Sequence, residues 1–475
     1  MALASRSPGY GCLVTKVRDH PLFTPILFFG CCDKLRSTLF PLNPGPPQIP
    51  RVCGRAILTE TLLSGLAERV RKQVLDLRVR YGISAAARAE VKRERGAAGH
   101  QDIPVDVAIS EALAWLGRAQ DHSPSADGGV ARHYCLVTGW GESYPETTGY
   151  IIPTLIREAR ISGDASLLVR AQKMLDWLVS IQMLCGAFQG GTIGESPVVP
   201  VTFNTGQGLM GLAAGVSEFG SSYRKAMVNA ADWLVATQDS DGCWRKHATP
   251  FAAPGEKSYE AHVSWGLLEA ARLEPERGYA EAAMRNMHWA LSQQNSGGWF
   301  ANCCLSDPGN PLTHTLGYVL RGLIAGYEFT GDAKILQEVR RAAEGALTAL
   351  RPDGFLPGRL DSQWQGTVSW ACLTGTAQMA ACWLLLYRAT GDVRFRKAGM
   401  IANRYVRSTV CLDGPLEIRG AVKGSFPVSG GYAPYQYPNW ACKFFIDSNS
   451  LERTICEEES EAAVPIYARA ASPTN

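Results

Sequence analysis

The sequence predicts an all-α fold, an (α/α)6 toroid in which about six helical hairpins close into two concentric rings. Three observations predict it: one short phrase recurs along the chain, the predicted helices alternate between two compositions, and short turns alternate with long loops. The phrase is clearest where Trp233-Leu234 is followed by Gln238, Gly242 and Trp244. A regular repeat of this kind indicates an architecture built from one supersecondary unit.

Copies of the phrase fall at nearly regular intervals. Each joins an aromatic residue near a helix end to a glutamine, and the better copies add a glycine and a second aromatic residue. They are Trp177 with Gln182, Gly186 and Phe188; Trp115 with Gln120; and His288-Trp289 with Gln293, Gly297 and Trp299, with weaker echoes in 350–355 and 410–414. The spacing predicts one helical hairpin for each copy.

The predicted helices alternate between an outer and an inner set. The outer helices carry Arg and Lys on one face, which is typical of helices that water reaches from one side; they are 104–120, 164–182, 222–238, 278–294, 332–350 and 392–410. The inner helices are apolar and rich in small residues all round, which is typical of buried helices; they are 145–162, 204–219, 259–273, 312–329, 368–389 and 434–450. Six helices inside and six outside close a double ring.

The connections also alternate. Short turns follow the inner helices and join Gly, which suits the position after a helix, to Asp or Ser, which caps the next one; they are 162–164, 220–222, 330–332 and 390–392. Long loops of roughly 16–24 residues, beyond the usual length, lead back into the inner helices. Long loops gathered on one face often carry function. The helix N-termini on that face favour an anionic ligand, so we expect the binding site there.

Outside the ring, the chain has an N-terminal extension and a tail. The extension is basic, with an irregular Pro-rich stretch predicted in 1–56 and helices in 57–80 and 84–95. The predicted domains are a partly disordered extension over 1–100, a toroid catalytic domain over 101–455 and a flexible tail over 456–475.

Composition excludes several classes of partner. The formal net charge of +3 over 475 residues gives no indication of nucleic-acid binding. The 14 cysteines include no Cys-x-x-Cys pair, so no metal site is expected. Free thiols in apolar helices favour a reducing compartment, and we expect a cytoplasmic protein. No apolar stretch is long enough for a transmembrane segment.

The aromatic-Leu-x3-Gln-x3-Gly-x-aromatic phrase resembles the QW repeat of the squalene and hopene cyclases. Those enzymes share the toroid with protein prenyltransferases and, more loosely, with six-hairpin glycosidases, uronyl hydrolases and sugar 2-epimerases. The resemblance covers about residues 104–450. It implies a framework role for the repeat, in which the Gln bonds the backbone of a neighbouring repeat. The Asp-rich D-x-D-D motif with which the cyclases protonate their substrate does not occur, so the reaction must be argued from the site.

Four residues at the starts of inner helices or in the long loops are candidate catalytic groups. Glu146 can act as a general acid or base, although Ser143 with Glu146 three residues later also fits a capping box. Asp361 is the candidate second carboxylate. His262 and His314 are candidate bases, and a satisfied buried histidine is the alternative for His262.

Aromatic and charged side chains near these positions are candidate contacts for a sugar. His314, Tyr318 and Arg321 share one helix face, and Arg binds a carboxylate with two prongs. Glu195 lies in a Gly-rich loop that suits a reach over a cleft, and a solvated loop carboxylate is the alternative. The candidate substrate-binding residues are His133, Tyr134, Tyr144, Glu195, Trp265, Arg321, Arg359, Trp364, Tyr435 and Tyr437.

The leading hypothesis is a carbohydrate-active enzyme that processes a uronic-acid-containing polysaccharide or oligosaccharide. Hydrolysis, β-elimination and C5 epimerisation all fit, and hydrolysis is slightly favoured because Glu146 and Asp361 supply two carboxylates. The alternatives are a terpene cyclase-like or prenyltransferase-like enzyme and a non-catalytic glycan-binding toroid. No cofactor is expected, because the sequence has neither a Walker-type loop nor a dinucleotide fingerprint.

Overall fold

The computed structural model describes residues 83–96 and 102–463. The predicted irregular stretch 1–56, the predicted helix 57–80 and the last part of the predicted tail lie outside these residues. Within them, the chain forms helix after helix, and the prediction of an all-α toroid is confirmed.

The described residues contain thirteen α-helices. Helix α1 (Ala85–Gly96) precedes the ring. The outer helices are α2 (Val105–Asp121), α4 (Ala165–Ile181), α6 (Arg224–Thr237), α8 (Tyr279–Ser292), α10 (Ala333–Thr348) and α12 (Val393–Arg407). The inner helices are α3 (Pro145–Ser162), α5 (Thr202–Phe219), α7 (Ala261–Leu273), α9 (Thr313–Thr330), α11 (Leu373–Thr390) and α13 (Asn439–Ala463).

Each inner helix packs against the next inner helix, and α13 packs against α3, which closes the inner ring. Each of the first five inner helices packs on the outer helix that follows it through a short turn. The first outer helix, α2, packs instead on the last inner helix, α13. The hairpins are therefore formed across the short turns, whereas the sequence pattern grouped each outer helix with the inner helix after its long loop.

The short turns have the predicted chemistry. Gly163, Gly331 and Gly391 follow their helices with φ of 75°, 70° and 72°. Asp164 then accepts a hydrogen bond from the backbone N–H of Ser166 at 2.9 Å, and Asp332 and Asp392 cap α10 and α12 in the same way. The cap satisfies an N–H that the first turn of a helix leaves unpaired.

The repeated glutamine ties neighbouring hairpins together. The side-chain amide of Gln182 donates to Gly186 O at 2.9 Å and to Ala226 O of the next outer helix at 2.8 Å. Gln238 donates in the same way to Gly242 O and Ala282 O. In both copies one side chain bonds its own turn and the adjacent outer helix, which is the framework role that the QW resemblance implies.

One copy of the phrase is shifted by one residue from its expected register. Gln294 donates to Gly298 O and to Glu338 O, both at 3.0 Å, and the aromatic residue that follows and is buried is Phe300. The assignment to Gln293, Gly297 and Trp299 was therefore wrong: the helical aromatic is Trp289, and the glutamine five residues after it reaches the neighbour.

The turn glycine of the phrase is required by geometry. Gly242 has φ of 92°, and a Cβ atom there would lie 2.5 Å from the carbonyl oxygen of Arg285 in α8. Any side chain would separate the turn from the next outer helix, so this position needs Gly.

Short strands hold the long loops in place at the mouth. Strand β1 (His133–Cys135) pairs antiparallel with β2 (Gly139–Trp140) and with β5 (Gln436–Pro438). Strand β3 (Ala371–Cys372) pairs with β4 (Ser425–Phe426). Because β3 and β5 occupy residues that the pattern assigned to helix, α11 and α13 begin about five residues later than expected. Helix α13 also continues to Ala463, into the stretch predicted as a tail.

Helix α1 is fastened to the ring by buried charges. The Lys423 ammonium group lies 2.7 Å from the Glu90 carboxylate and 2.8 Å from that of Glu94, and Lys423 and Glu90 are both almost fully buried. Glu94 also accepts the backbone N–H of Val428 at 3.0 Å. The segment that contains Lys423 and Val428 leads directly into β5 and the mouth.

Candidate functional site

Two cavities lie in the inner ring. The mouth cavity, of about 330 Å³, is lined by the first turns of inner helices and the loops before them; its walls include Arg132, Tyr144, Glu146, Phe203, Tyr259, His314, Tyr318, Tyr432 and Trp440. The rear cavity, of about 480 Å³, is lined by later turns of the inner helices; its walls include Arg157, Met210, Trp265, Arg321, Gln378, Leu385, Lys443 and Asp447.

Aromatic rings fill the space between the two sets of walls. The His262 ring lies 4.6 Å from that of Tyr318, centroid to centroid, and Phe444 lies 5.8 Å from Tyr318. The hydroxyl oxygens of Tyr150 and Tyr318 are 3.5 Å apart. Tyr318 lines the mouth cavity and Phe444 lines the rear cavity, so this aromatic cluster lies between them.

Glu146 presents a carboxyl group to the mouth cavity. The Tyr144 hydroxyl donates to Glu146 Oε2 at 2.6 Å. Although the side chain keeps some exposure toward the cavity, its surroundings remove most water, and this burial raises the pKa of Glu146 to about 7. The capping-box alternative is wrong, because α3 has no side-chain cap and Ser143 donates instead to Asp127.

His314 faces the same cavity with a defined tautomer. Its Nδ1 lies 2.6 Å from Oε1 of Gln378. Because an amide oxygen only accepts, Nδ1 carries the proton and Nε2 is left as the acceptor nitrogen. Burial lowers the pKa of His314 to about 4, so the ring is neutral at pH 7.

Arg132 supplies the positive charge at the mouth, and the sequence reasoning missed it. Its guanidinium group lies 5.6 Å from the ring centre of Tyr144 and 5.7 Å from that of Trp440. It makes no ion pair with any residue in the described part of the chain. The one available signal was its position beside His133 in the loop before α3.

The mouth therefore combines an acid, a base and a cation. The environments of Glu146 and His314 move their pKa values in opposite directions, which is the pattern of acid–base pairs in active sites. Aromatic side chains of Phe203, Tyr432 and Trp440 form the surrounding wall. Such a cavity can bind a sugar ring by stacking and can move protons on it.

Of the other proposed catalytic residues, neither His262 nor Asp361 lines this cavity. His262 is fully buried among aromatic rings, with Nδ1 bonded to Gln207 Oε1 at 2.9 Å. Its Nε2 has no hydrogen-bond partner within the described residues, so His262 is buried, as the alternative expected, but is not fully satisfied. Asp361 Oδ1 accepts the backbone N–H groups of Gln363 and Gln365, both at 2.9 Å, and closes a turn.

Two neighbours of Asp361 are also held within the loop framework. The Arg359 guanidinium donates to Asn310 O at 2.6 Å, and the buried Trp364 indole donates to Gly297 O at 2.9 Å. Their polar groups bridge adjacent long loops, and neither residue lines the mouth cavity.

The proposed residues of the first and last loops are mostly part of the small sheet. Tyr134 pairs with Tyr437 across β1 and β5, which joins the first loop of the ring to the last. His133 packs beneath Gly141, and the Tyr435 backbone bonds Leu136 and Val428. Glu195 lies in an exposed loop, where it accepts the backbone N–H of Thr192.

Trp265 and Arg321 line the rear cavity instead of the mouth. Arg321 does share a helix face with His314, as expected. Seven residues of α-helix, however, advance about 10 Å along the helix axis, and this rise carries Arg321 past the aromatic cluster. Spacing on a helix predicted the face correctly but not the depth.

No family model matches the sequence, and no curated protein matches it. Solved structures do resemble it. An unsaturated glucuronyl hydrolase specific for heparin is 16% identical, with 74% of this chain and 98% of that chain covered and a TM-score of 0.60. The unsaturated glucuronyl hydrolase of Bacillus sp. GL1 is 17% identical, with the same coverage and a TM-score of 0.58. A D-mannose isomerase is 12% identical over 75% of this chain and 99% of its own, with a TM-score of 0.59. At these identities the likeness shows the shared fold.

Three further observations concern metal sites, membrane spans and cysteines within the described residues. No group of three or more His, Cys, Asp or Glu side chains there could hold a metal ion. None of the helices described is long and apolar enough to cross a membrane. The ten cysteines in this part of the chain are free thiols.

Proposed function

We propose that this protein is a carbohydrate-active enzyme that transfers a proton to or from a carbon atom of a uronic-acid sugar bound in the mouth cavity. The observation that carries the proposal is the pair formed by Glu146 and His314. One has a pKa raised to about 7, the other a pKa lowered to about 4, and both line the same cavity. At neutral pH such a pair offers a protonated acid and a neutral base.

The substrate class follows from the other walls. The Arg132 guanidinium makes no ion pair within the described residues, although its charge acts to lower the pKa of Glu146, and an arginine can hold a carboxylate by two parallel hydrogen bonds. The N-termini of the surrounding inner helices add partial positive charge. Tyr144, Tyr432 and Trp440 offer rings for stacking on a sugar. The names of the similar structures, two glucuronyl hydrolases and a mannose isomerase, are consistent with a sugar substrate.

The chemistry uses the acidity of the carbon beside the uronate carboxylate. His314 Nε2 takes the proton from that carbon, Arg132 stabilises the negative charge that spreads into the carboxylate, and Glu146 donates a proton. Return of a proton to the opposite face gives epimerisation, and loss of the neighbouring substituent gives β-elimination. Protonation of an unsaturated uronide by Glu146, followed by addition of water, gives hydrolysis.

Hydrolysis by two carboxylates is less well supported than it was from the sequence. That mechanism needs a second Asp or Glu across the scissile bond. Among the described residues that line the mouth cavity, Glu146 is the sole carboxylate, and Asp361 caps a turn. The reactions above need one carboxyl group only.

The test is incubation of the purified chain with saturated and unsaturated uronic-acid oligosaccharides in heavy water. Deuterium uptake without cleavage indicates epimerisation, and a new conjugated double bond indicates elimination. Loss of an existing double bond with deuterium in the product indicates hydrolysis of the unsaturated sugar. Each of these outcomes supports the proposal.

Two results would overturn it. New reducing ends from saturated substrates with no deuterium on carbon would indicate ordinary glycoside hydrolysis. No change across the panel would favour a glycan-binding toroid or, if isoprenoid diphosphates are then consumed, a terpene- or prenyl-type enzyme.

The cytoplasmic location stays a prediction, with which the free thiols are consistent.

A further inference from the structure

The rear cavity has the features of a second ligand site, separate from the mouth. Its volume of about 480 Å³ lies within the range of small-molecule sites. We infer that it binds an organic carboxylate with an apolar body, and that Arg321 holds the carboxylate. This inference does not depend on the reaction proposed for the mouth.

Cationic side chains outnumber acidic ones in the lining of the rear cavity, and Glu158 and Glu458 outside the lining pair with two of these cations, Arg157 and Arg388. The lining includes five cationic side chains, Arg157, Arg272, Arg321, Arg388 and Lys443, against two acidic ones, Glu269 and Asp447. Asp447 is already engaged by Lys443 at 2.6 Å and Arg157 at 2.8 Å. Burial would raise the pKa of Asp447, but these two cations lower it well below its ordinary value. The carboxylate therefore stays ionised and occupied.

Arg321 is a weakly paired cation on this wall, and its side chain is only 19% exposed. Its guanidinium group lies 3.8 Å from the ring centre of Trp265, which fixes its plane against the cavity wall. Its acidic contact among the described residues is one long hydrogen bond, 3.4 Å, to Glu328, which is itself 40% exposed. A guanidinium group has five N–H donors, so most of those on Arg321 are available to a ligand.

A second donor on the cavity wall is also without a partner. Gln378 is 2% exposed and uses its amide oxygen for His314, while no protein group accepts from its Nε2. A buried amide nitrogen without an acceptor costs free energy, so a ligand oxygen there would be stabilising. Both observations call for an acceptor group, and a carboxylate offers two oxygens.

The rest of the wall is apolar. Met210, Ala213, Leu273, Leu385 and Phe444 line it. A fully hydrated anion such as inorganic phosphate would leave this surface without a partner, whereas an aliphatic or aromatic body would cover it. The shape and the charge together favour a carboxylate carried on an apolar group.

The experiment is calorimetric titration of the full chain with 2-naphthoate and with the neutral analogue 2-naphthylmethanol. We expect 2-naphthoate to bind and the alcohol to bind at least about tenfold more weakly, because it lacks the charged acceptor. Absence of naphthoate binding, or equal binding of the two compounds, would overturn the inference.

Variants locate the site. Arg321→Met keeps the apolar stem and removes the charge, and it should weaken naphthoate binding about tenfold or more. Arg132→Met is the matched change in the mouth cavity and should leave the affinity for naphthoate unchanged. If Arg132→Met weakened naphthoate binding and Arg321→Met did not, the carboxylate would bind in the mouth cavity and the inference would be wrong.

A cavity-filling change guards against a folding defect in Arg321→Met. Ala381 lines the rear cavity on α11 and is partly exposed, so Ala381→Phe adds a ring to the empty space without removing any charge. This variant should also abolish naphthoate binding while its circular dichroism spectrum matches that of the original chain. Unchanged affinity in a folded Ala381→Phe protein would contradict the rear-cavity site.

Discussion

His262 and His314 stand on neighbouring inner helices, α7 and α9, and each pairs Nδ1 with the amide oxygen of a buried glutamine, Gln207 or Gln378. Burial lowers the pKa of both rings. They differ in access: His314 lines the mouth cavity, whereas His262 is enclosed by Phe203, Tyr318 and Phe444. A shifted pKa therefore reports burial alone, whereas a functional site needs burial together with an opening to a cavity.

Glu146 and Glu260 differ in access to a cavity in the same way as the two histidines. Burial raises the pKa of Glu146 to about 7 and that of Glu260 to about 8. Glu146 faces the mouth cavity, while Glu260 lines neither cavity and its Oε2 has no partner. Each active-site candidate therefore has an enclosed counterpart, which serves as its control.

The largest effect is expected from the carboxyl pair. Glu146→Gln keeps the shape and removes the proton-transfer group, so kcat/KM for the uronide substrate should fall about 10²–10⁴-fold. Glu260→Gln should change it by less than about tenfold, because Glu260 lies outside the cavity. If both variants fold and lose similar amounts of kcat/KM, the difference in cavity access between Glu146 and Glu260 does not correspond to a difference in function.

The histidine pair should give the next largest effect. His314→Gln removes the base and should lower kcat by about 10²-fold or more. His262→Gln alters packing in the aromatic cluster, and its expected cost lies in the melting temperature. If His262→Gln lost turnover while keeping its melting temperature, the enclosed histidine would have a role that its position does not indicate.

The pH dependence of activity offers an independent test of Glu146 and His314. The proposed reaction requires protonated Glu146 and neutral His314, so kcat/KM should form a bell with limbs near pH 4 and pH 7. Two units above the upper limb, the active fraction falls about 100-fold. The upper limb should persist in Glu260→Gln, and its survival in Glu146→Gln, measured on residual activity, would assign it to another group.

The smallest effect concerns Arg132 at the mouth cavity. Arg132→Met should raise KM for an anionic sugar about tenfold or more, since a charge-assisted contact is lost, with a smaller change for a neutral sugar. Steady-state kinetics on a uronate and its reduced, uncharged counterpart measure this. An equal rise in KM for both sugars would show that Arg132 supports packing rather than charge recognition.

The sequence predicted the ring and parts of the mouth, and the reasons for the limits are physical. Amphipathic periods place the helices, because burial of one face repeats every turn. Glu146 and His314 could be singled out because polar groups at the start of an apolar helix stand out. Arg321 was misplaced because periodicity gives the face of a helix and not the depth. Asp361 was expected at the mouth and Arg132 was missed, because loop contacts depend on distant residues such as Trp440, which no local pattern contains.

The ion pairs of Lys423 bear on how shortened versions of the chain would behave. A version begun at residue 101, the predicted start of the toroid, would lack α1 and leave a lysine that is 1% exposed without Glu90 and Glu94. Loss of the partners of a buried charge costs about 3–5 kcal/mol. Truncation at this point would then produce a protein with a loosened wall beside Tyr432, and low activity in it would report on the missing helix. A version begun before Ser84 would retain the anchor.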